Sequence, residues 1–155
     1  MNENEIREIV QNAIIASKSE MTLPLAERVA DAVIEEAKRI GVKAVVCISD
    51  AAGNPKLVKV MEDAYIASYN IAVNKAYTVV ALKMPTVALK PLAAPGGELY
   101  GIQFTNGGKI VIFGGGDPLI NPKGKIIGGL GVSGGSEAQD IALSAFGRNF
   151  FETKI

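Results

Sequence analysis

The chain has 155 residues, 16 Lys and Arg against 16 Asp and Glu, one cysteine, and neither histidine nor tryptophan. That length fits a single domain over residues 1–155, and a net charge of zero offers no basic face to nucleic acid. With no histidine, Ser–His and Cys–His nucleophile pairs and His-ligated zinc or haem iron are excluded, and the lone Cys47 has no partner for an internal disulfide.

Residues 5–17 place Ile6, Ile9, Val10, Ala13 and Ile14 on one helical face. A second helix is expected between Thr22, its cap, and Gly41, its left-handed stop. Its apolar stripe runs from Leu25 to Ala37, and Lys38 and Arg39 suit its negative C-terminal end. Two strands follow, Val42 to Ser49 and Leu57 to Glu62, joined by the turn Asp50–Pro55. Cys47 falls in the first of them as a small core residue.

A third helix is expected from about Ser68, with Ala72, Ala76, Val79 and Val80 inside and Lys75 and Tyr77 on its polar face. Pro85 ends it, and residues 86–93 hold a short fourth helix. Fifteen of the seventeen glycines lie after residue 95, so this part reads as strands joined by permissive turns. Ile110–Phe113 and Lys125–Val132 are the predicted strands, with turns at Gly114–Pro118 and Asn121–Gly124 between them. Ser136 and Gln139 form a capping box that opens the last helix. The order implies an antiparallel sheet with helices packed on it.

No run approaches 18 uninterrupted apolar residues, and Met1–Glu5 is acidic where a signal peptide is basic. The expectation is a cytoplasmic protein with no membrane partner. Gly131–Gly135 matches G-x-S-x-G, but with no histidine to take the proton from Ser133 it reads as a backbone turn. Gly129, Gly131 and Gly134 also satisfy G-x-G-x-x-G, yet no returning strand with its acidic residue fits before Ile155. The N–H groups from Ser133 to Ser136 face either an anion or the helix's own caps, and the caps are the commoner outcome. Glu62, Asp63 and Asp117 read as separate surface carboxylates, so no metal site is expected.

Several blocks resemble the GlcG/HbpS-like family, which includes the C-terminal domain of PduO-type proteins. They are Asp50–Asn54, Met61–Ala64 with Ser68, Asn74–Thr78, Pro95–Ile102, Phe113–Pro118 and Ile127–Gly135 with Gln139–Asp140. The resemblance runs in order from about residue 22 to 148. It implies an α/β (α+β) sandwich of profilin-like kind, with a five-stranded antiparallel sheet flanked by helices. It also implies homo-oligomers, from dimers to octamers, and a ligand that is a small organic acid, haem or a corrinoid. Carried over block by block, the pocket is expected at Glu62, Tyr65, Lys75, Thr78, Gly115, Gly116, Pro118, Ser133 and Gly134. The cofactor is left unnamed, because haem, if bound, has no histidine and must use a tyrosine, Met61, Met84 or apolar packing. Two functions follow. One is a non-catalytic small-molecule-binding accessory protein; the alternative is an enzyme acting on a small hydroxy acid or tetrapyrrole, with Lys75 or Glu62 as acid/base.

Overall fold

Two layers of helix enclose one antiparallel sheet in the computed structural model, which describes residues 1–155. Helices α1 (Glu3–Ser17) and α2 (Leu23–Ile40) precede the hairpin β1 (Val45–Asp50) and β2 (Pro55–Val60). Helices α3 (Ile66–Ala81) and α4 (Thr86–Ala93) follow, then two short 3-10 turns at Ile102–Phe104 and Asn106–Gly108. Strands β3 (Gly116–Ile120) and β4 (Ile126–Ser133) lead into α5 (Glu137–Thr153). The strand order is β2-β1-β4-β3, all antiparallel.

The sheet therefore has four strands rather than the expected five. Ile110–Phe113 is not a strand. Ile110 is buried instead with Leu89 and Ala93 of α4, and the Val111 N–H donates to Thr78 Oγ1 at 3.0 Å. A four-residue apolar run has the same sequence signature whether a ladder or a helix covers it. The strand lies a few residues on, in what reads as the turn Gly114–Pro118. Gly116, Asp117 and Pro118 pair with Gly131, Leu130 and Gly129. Proline is tolerated there because β3 is an edge strand, where one side of the backbone needs no partner.

Side chains alternate across β1. Val46 and Ile48 join Leu130, Val132, the inner face of α2, and Leu143 and Phe151 of α5 in the main core. Val45 and Cys47 face the other way, onto Ala72 and Ala76 of α3. Glycines in β4 allow α3 to lie almost on the sheet backbone: a Cβ at Gly131 would stand 2.0 Å from the Ala72 carbonyl oxygen. Burial pushes the Cys47 thiol up to about 12. The native protein is expected to resist thiol reagents at neutral pH and to label fully once unfolded; rapid labelling of the native chain would contradict this packing.

The cap of α2 is as read from sequence, with the Leu25 N–H donating to Thr22 Oγ1 at 3.3 Å and Gly41 at φ +75°. Helix α1 forms and is capped by Asn2 and Glu5, but none of its residues is buried. Its apolar face, with Ile6, Ile9 and Val10, is open. Deleting residues 1–17 is therefore expected to move the thermal midpoint by no more than about 2 °C, as for other surface changes. A fall of many degrees would place α1 in a contact between copies. No helix is long and apolar enough to cross a membrane.

Candidate functional site

At the end of the sheet where β4 runs into α5, a cleft of ≈ 300 Å³ opens beside the start of α3. Tyr65 and Phe113 stand at its walls, 72% and 39% exposed, and Ser68, Ser133, Gly134 and Asp140 contribute to its lining. On its floor the buried Ser133 hydroxyl donates to the buried Ser68 Oγ at 3.0 Å.

Behind this floor lies a buried ion pair. Lys75 of α3 is wholly inaccessible, where the sequence pattern put it on a polar face. Its Nζ donates to the Val132 carbonyl at 2.7 Å and to Asp140 Oδ2 at 3.2 Å, and lies 5.0 Å from the centre of the Phe113 ring. Asp140 Oδ1 accepts from the Gly135 N–H at 2.9 Å, so its carboxylate spans the turn before α5. Burial pushes the Lys75 ammonium below its usual range, against the opposing pull of Asp140. It likewise pushes the Asp140 carboxyl up, against the pull of Lys75. Both directions reflect the cost of removing charge from water, which the pair offsets only in part.

Gly115 is the residue that admits this arrangement. It has φ +116°, and a Cβ there would stand 2.6 Å from Lys75 Nζ and 2.8 Å from the Val132 oxygen. Gly116 and Thr78 are fasteners rather than walls. The Gly116 N–H donates to Thr86 Oγ1 at 2.9 Å, and the Thr78 hydroxyl donates to the Asn74 carbonyl at 2.7 Å while accepting from Val111. Pro118 is buried within β3. Glu62 is exposed just beyond β2 and does not line the cleft. Of the nine expected positions, Tyr65, Ser133 and Gly134 line it directly, with Lys75 and Gly115 immediately behind.

The backbone donors before α5 are occupied within the chain: Gly135 by Asp140, Ser136 by the Gln139 side chain at 2.9 Å, and Gln139 by Ser136 Oγ at 3.2 Å. Ser68, Asp140 and Phe113 are among the members that residue-by-residue reading missed. Asp140 had a signal, since it falls on the buried stripe of α5 with Leu143, Ser144, Gly147 and Phe151, where a carboxylate must find a partner. Asp117, the carboxylate read as superficial, is buried and held by Arg148 and Ser144, each at 2.7 Å. No three His, Cys, Asp or Glu side chains gather closely enough to hold a metal ion.

A helix-flanked antiparallel sheet with a cleft at the strand end, closed below by a lysine–aspartate pair, defines a small α+β domain. The chain belongs to the HbpS-like family: the model described as "Haem degrading protein HbpS-like" matches residues 21–148. It is 44% identical over 124 residues to an uncharacterised 15.0 kDa protein of the dhaT–dhaS intergenic region of Citrobacter freundii, covering 80% of this chain and 87% of that one. It is 38% identical over 150 residues to the corrinoid adenosyltransferase PduO of Salmonella typhimurium, covering 91% of this chain but 44% of that protein. The crystal structure of a PduOC–haem complex superposes with a TM-score of 0.79, at 36% identity over 84% of this chain and 94% of that one.

Proposed function

We propose that the protein is a single-domain, small-molecule-binding accessory protein that works as a cytoplasmic homo-oligomer, between dimer and octamer, and takes its ligand in the Tyr65–Phe113 cleft. The observation that carries this reading is the cleft itself, with aromatic walls, a hydroxyl floor and a base fixed by Lys75 and Asp140. Apolar walls with a few convergent polar groups are the usual make-up of a ligand site, and ≈ 300 Å³ is at the small end of the range. A small organic acid suits that volume. Haem or a corrinoid would extend beyond it and would need a second subunit as a wall.

For haem the side chains narrow the options. Met61 Sδ accepts from the Ala44 N–H at 3.3 Å, and Met84 is packed in the apolar cluster around Leu89. Tyr65, open at the cleft, is the residue that fits as an iron ligand, as tyrosine serves in other haem proteins. The PduOC–haem complex and the PduO adenosyltransferase support a tetrapyrrole or corrinoid connection for those proteins.

The lowered proton affinity of Lys75 favours a second reading, an enzyme with Lys75 as acid/base. Its Nζ is enclosed by Gly115, Val132 and Asp140, so a substrate reaches it only after the Phe113–Gly115 segment moves. Glu62 is less suited, being exposed and outside the cleft. The two readings separate in one experiment. The protein is titrated with hemin, followed at the Soret band, and with glycolate and lactate, followed by calorimetry. Saturable binding of any of these that Tyr65→Ala or Ser133→Val weakens supports the binding reading, and absence of saturation with all of them overturns it. Turnover of a bound acid that Lys75→Arg abolishes would establish the enzyme instead.

A further inference from the structure

We infer that α1 docks on a second copy of this chain: the two α1 helices pair antiparallel, each setting its acidic first half against the other copy's Lys123 and Lys125. α1 precedes residue 21, where the match to the HbpS-like family begins, so the shared domain does not supply this contact. It adds an interface to the oligomer proposed above and is independent of what the cleft binds.

The need for a cover comes from α1 itself. Ile6, Ile9, Val10 and Ala13 recur at i, i+3, i+4 and i+7, the spacing of one helical face. Ile9 and Val10 are 57% and 51% exposed, and no residue of the helix is buried. An isolated helix of 15 residues is marginal in water, and packing of its apolar face is what normally holds it. A row of anchors at these spacings is also how a helix engages a partner surface.

Charge selects the occupant. Glu5, Glu8, Asn12 and Ala16 follow at steps of three and four, so they form one flank beside the apolar face. The flank begins with two carboxylates, and at its far end Asn12 and Ala16 share a groove with Lys123 and Lys125. Glu8, Lys123 and Lys125 form no ion pair within the chain, and Glu5 is engaged only by the cap of its own helix. In an antiparallel pair the same flank of each helix faces its counterpart, start against end. A two-fold axis therefore brings the carboxylates of each copy to the lysines of the other, the self-complementarity that an isologous contact requires. Parallel pairing would lay the two acidic ends together. A lipid surface fits poorly, because an interfacial helix is rich in Lys and Arg and α1 sets Arg7 against three glutamates.

Helices of this length meet over about 22 Å, a footprint well under the ~800 Å² per partner of a standard interface. The contact is accordingly weak and reversible, so deleting α1 moves the thermal midpoint of the dilute protein only slightly.

The test is sedimentation equilibrium of the full chain over a concentration series. The expected result is a mass that rises with concentration through a step whose dissociation constant Ile9→Glu raises about tenfold or more. Glu8→Lys with Glu5→Gln, which keeps the helix cap, should weaken the same step, and so should Lys123→Glu with Lys125→Glu. Combining all four changes should restore the wild-type constant to within about threefold, because the charges again oppose. A constant that none of these variants moves would overturn the proposal, as would losses in both charge variants that the combination does not recover. An oligomer of fixed size that ignores every α1 change would leave the proposed assembly standing and remove only this contact. Binding of the wild type to phosphatidylglycerol vesicles, abolished by Ile9→Glu with no change in mass, would also overturn it.

Discussion

Replacing Gly131 by alanine is expected to cost about 3 kcal/mol of stability, the upper part of the range for overpacking a core, and to lower the thermal midpoint by roughly 6–12 °C. The new Cβ would stand 2.0 Å from the Ala72 carbonyl oxygen and 2.7 Å from the Ala76 nitrogen. Both are backbone atoms of α3, so no rotamer change relieves the clash, and the helix must lift from the sheet. Lifting α3 also pulls apart its contacts with Val45 and Cys47 and moves Lys75 away from Val132. Gly124→Ala is the control. Gly124 has φ +79° and open space around it, so its alanine variant carries only the left-handed backbone penalty, about 1 kcal/mol. Equal melting shifts for the two variants would show that the close approach of α3 to β4 does not matter.

The second large effect concerns the ion pair. Lys75→Met is expected to cost about 3–5 kcal/mol, because it strands the Asp140 carboxylate in a buried site. Asp140→Asn should be comparably harmful by leaving the ammonium unpaired. Joining the two changes should recover most of the loss, because a methionine and an amide need no charge partner. Additive losses in the double variant, measured by denaturant unfolding, would mean the two groups do not act as a pair.

The same comparison has a pH signature. Burial sets the folded pKa of Lys75 below its usual 10.5. Between those two values the unfolded chain binds more protons than the folded one, so stability rises with pH. The wild type is therefore expected to gain on the double variant as pH climbs through the folded pKa toward 10.5, with the gain complete above that. A difference that is flat across the alkaline range would indicate that Lys75 is not desolvated.

The helices were largely legible because their signals are local. The Thr22 cap, the Gly41 stop and the Ser136–Gln139 capping box act through hydrogen bonds within a turn, and each is found where the residues place it. The hairpin β1–β2 was legible for the same reason, with its bounds displaced by one to three residues. The sheet was harder. Gly116-Asp117-Pro118 reads as a turn by residue type, and only its pairing with β4 makes it a strand. Ile110–Phe113 reads as a strand by apolarity, and only α4 packed on it shows why it needs no ladder.

The candidate site divides in the same way. Resemblance named nine positions; in the folded chain Tyr65, Ser133 and Gly134 line the cleft, Lys75 and Gly115 lie behind it, Thr78, Gly116 and Pro118 are absent from its lining, and Glu62 stands outside it. Lys75 lies at helical spacing from Ala72, Ala76 and Val79, so its burial was implicit in the pattern that also suggested a polar face. A lysine among small residues fits either a solvent-facing or an enclosed position, and the partner that decides between them is Asp140, 65 residues away.

By itself, then, the sequence determined which segments are helical, that the last third is glycine-built, and that no histidine chemistry operates here. Those are matters of residue type and local hydrogen bonding. Tertiary structure decided the number of strands, the enclosure of Lys75 with Asp140, and the burial of Asp117 against Arg148 and Ser144. Each depends on atoms from distant segments meeting within a few ångströms, and desolvation, which sets the cost and the chemistry of a buried charge or amide, exists only once they have met.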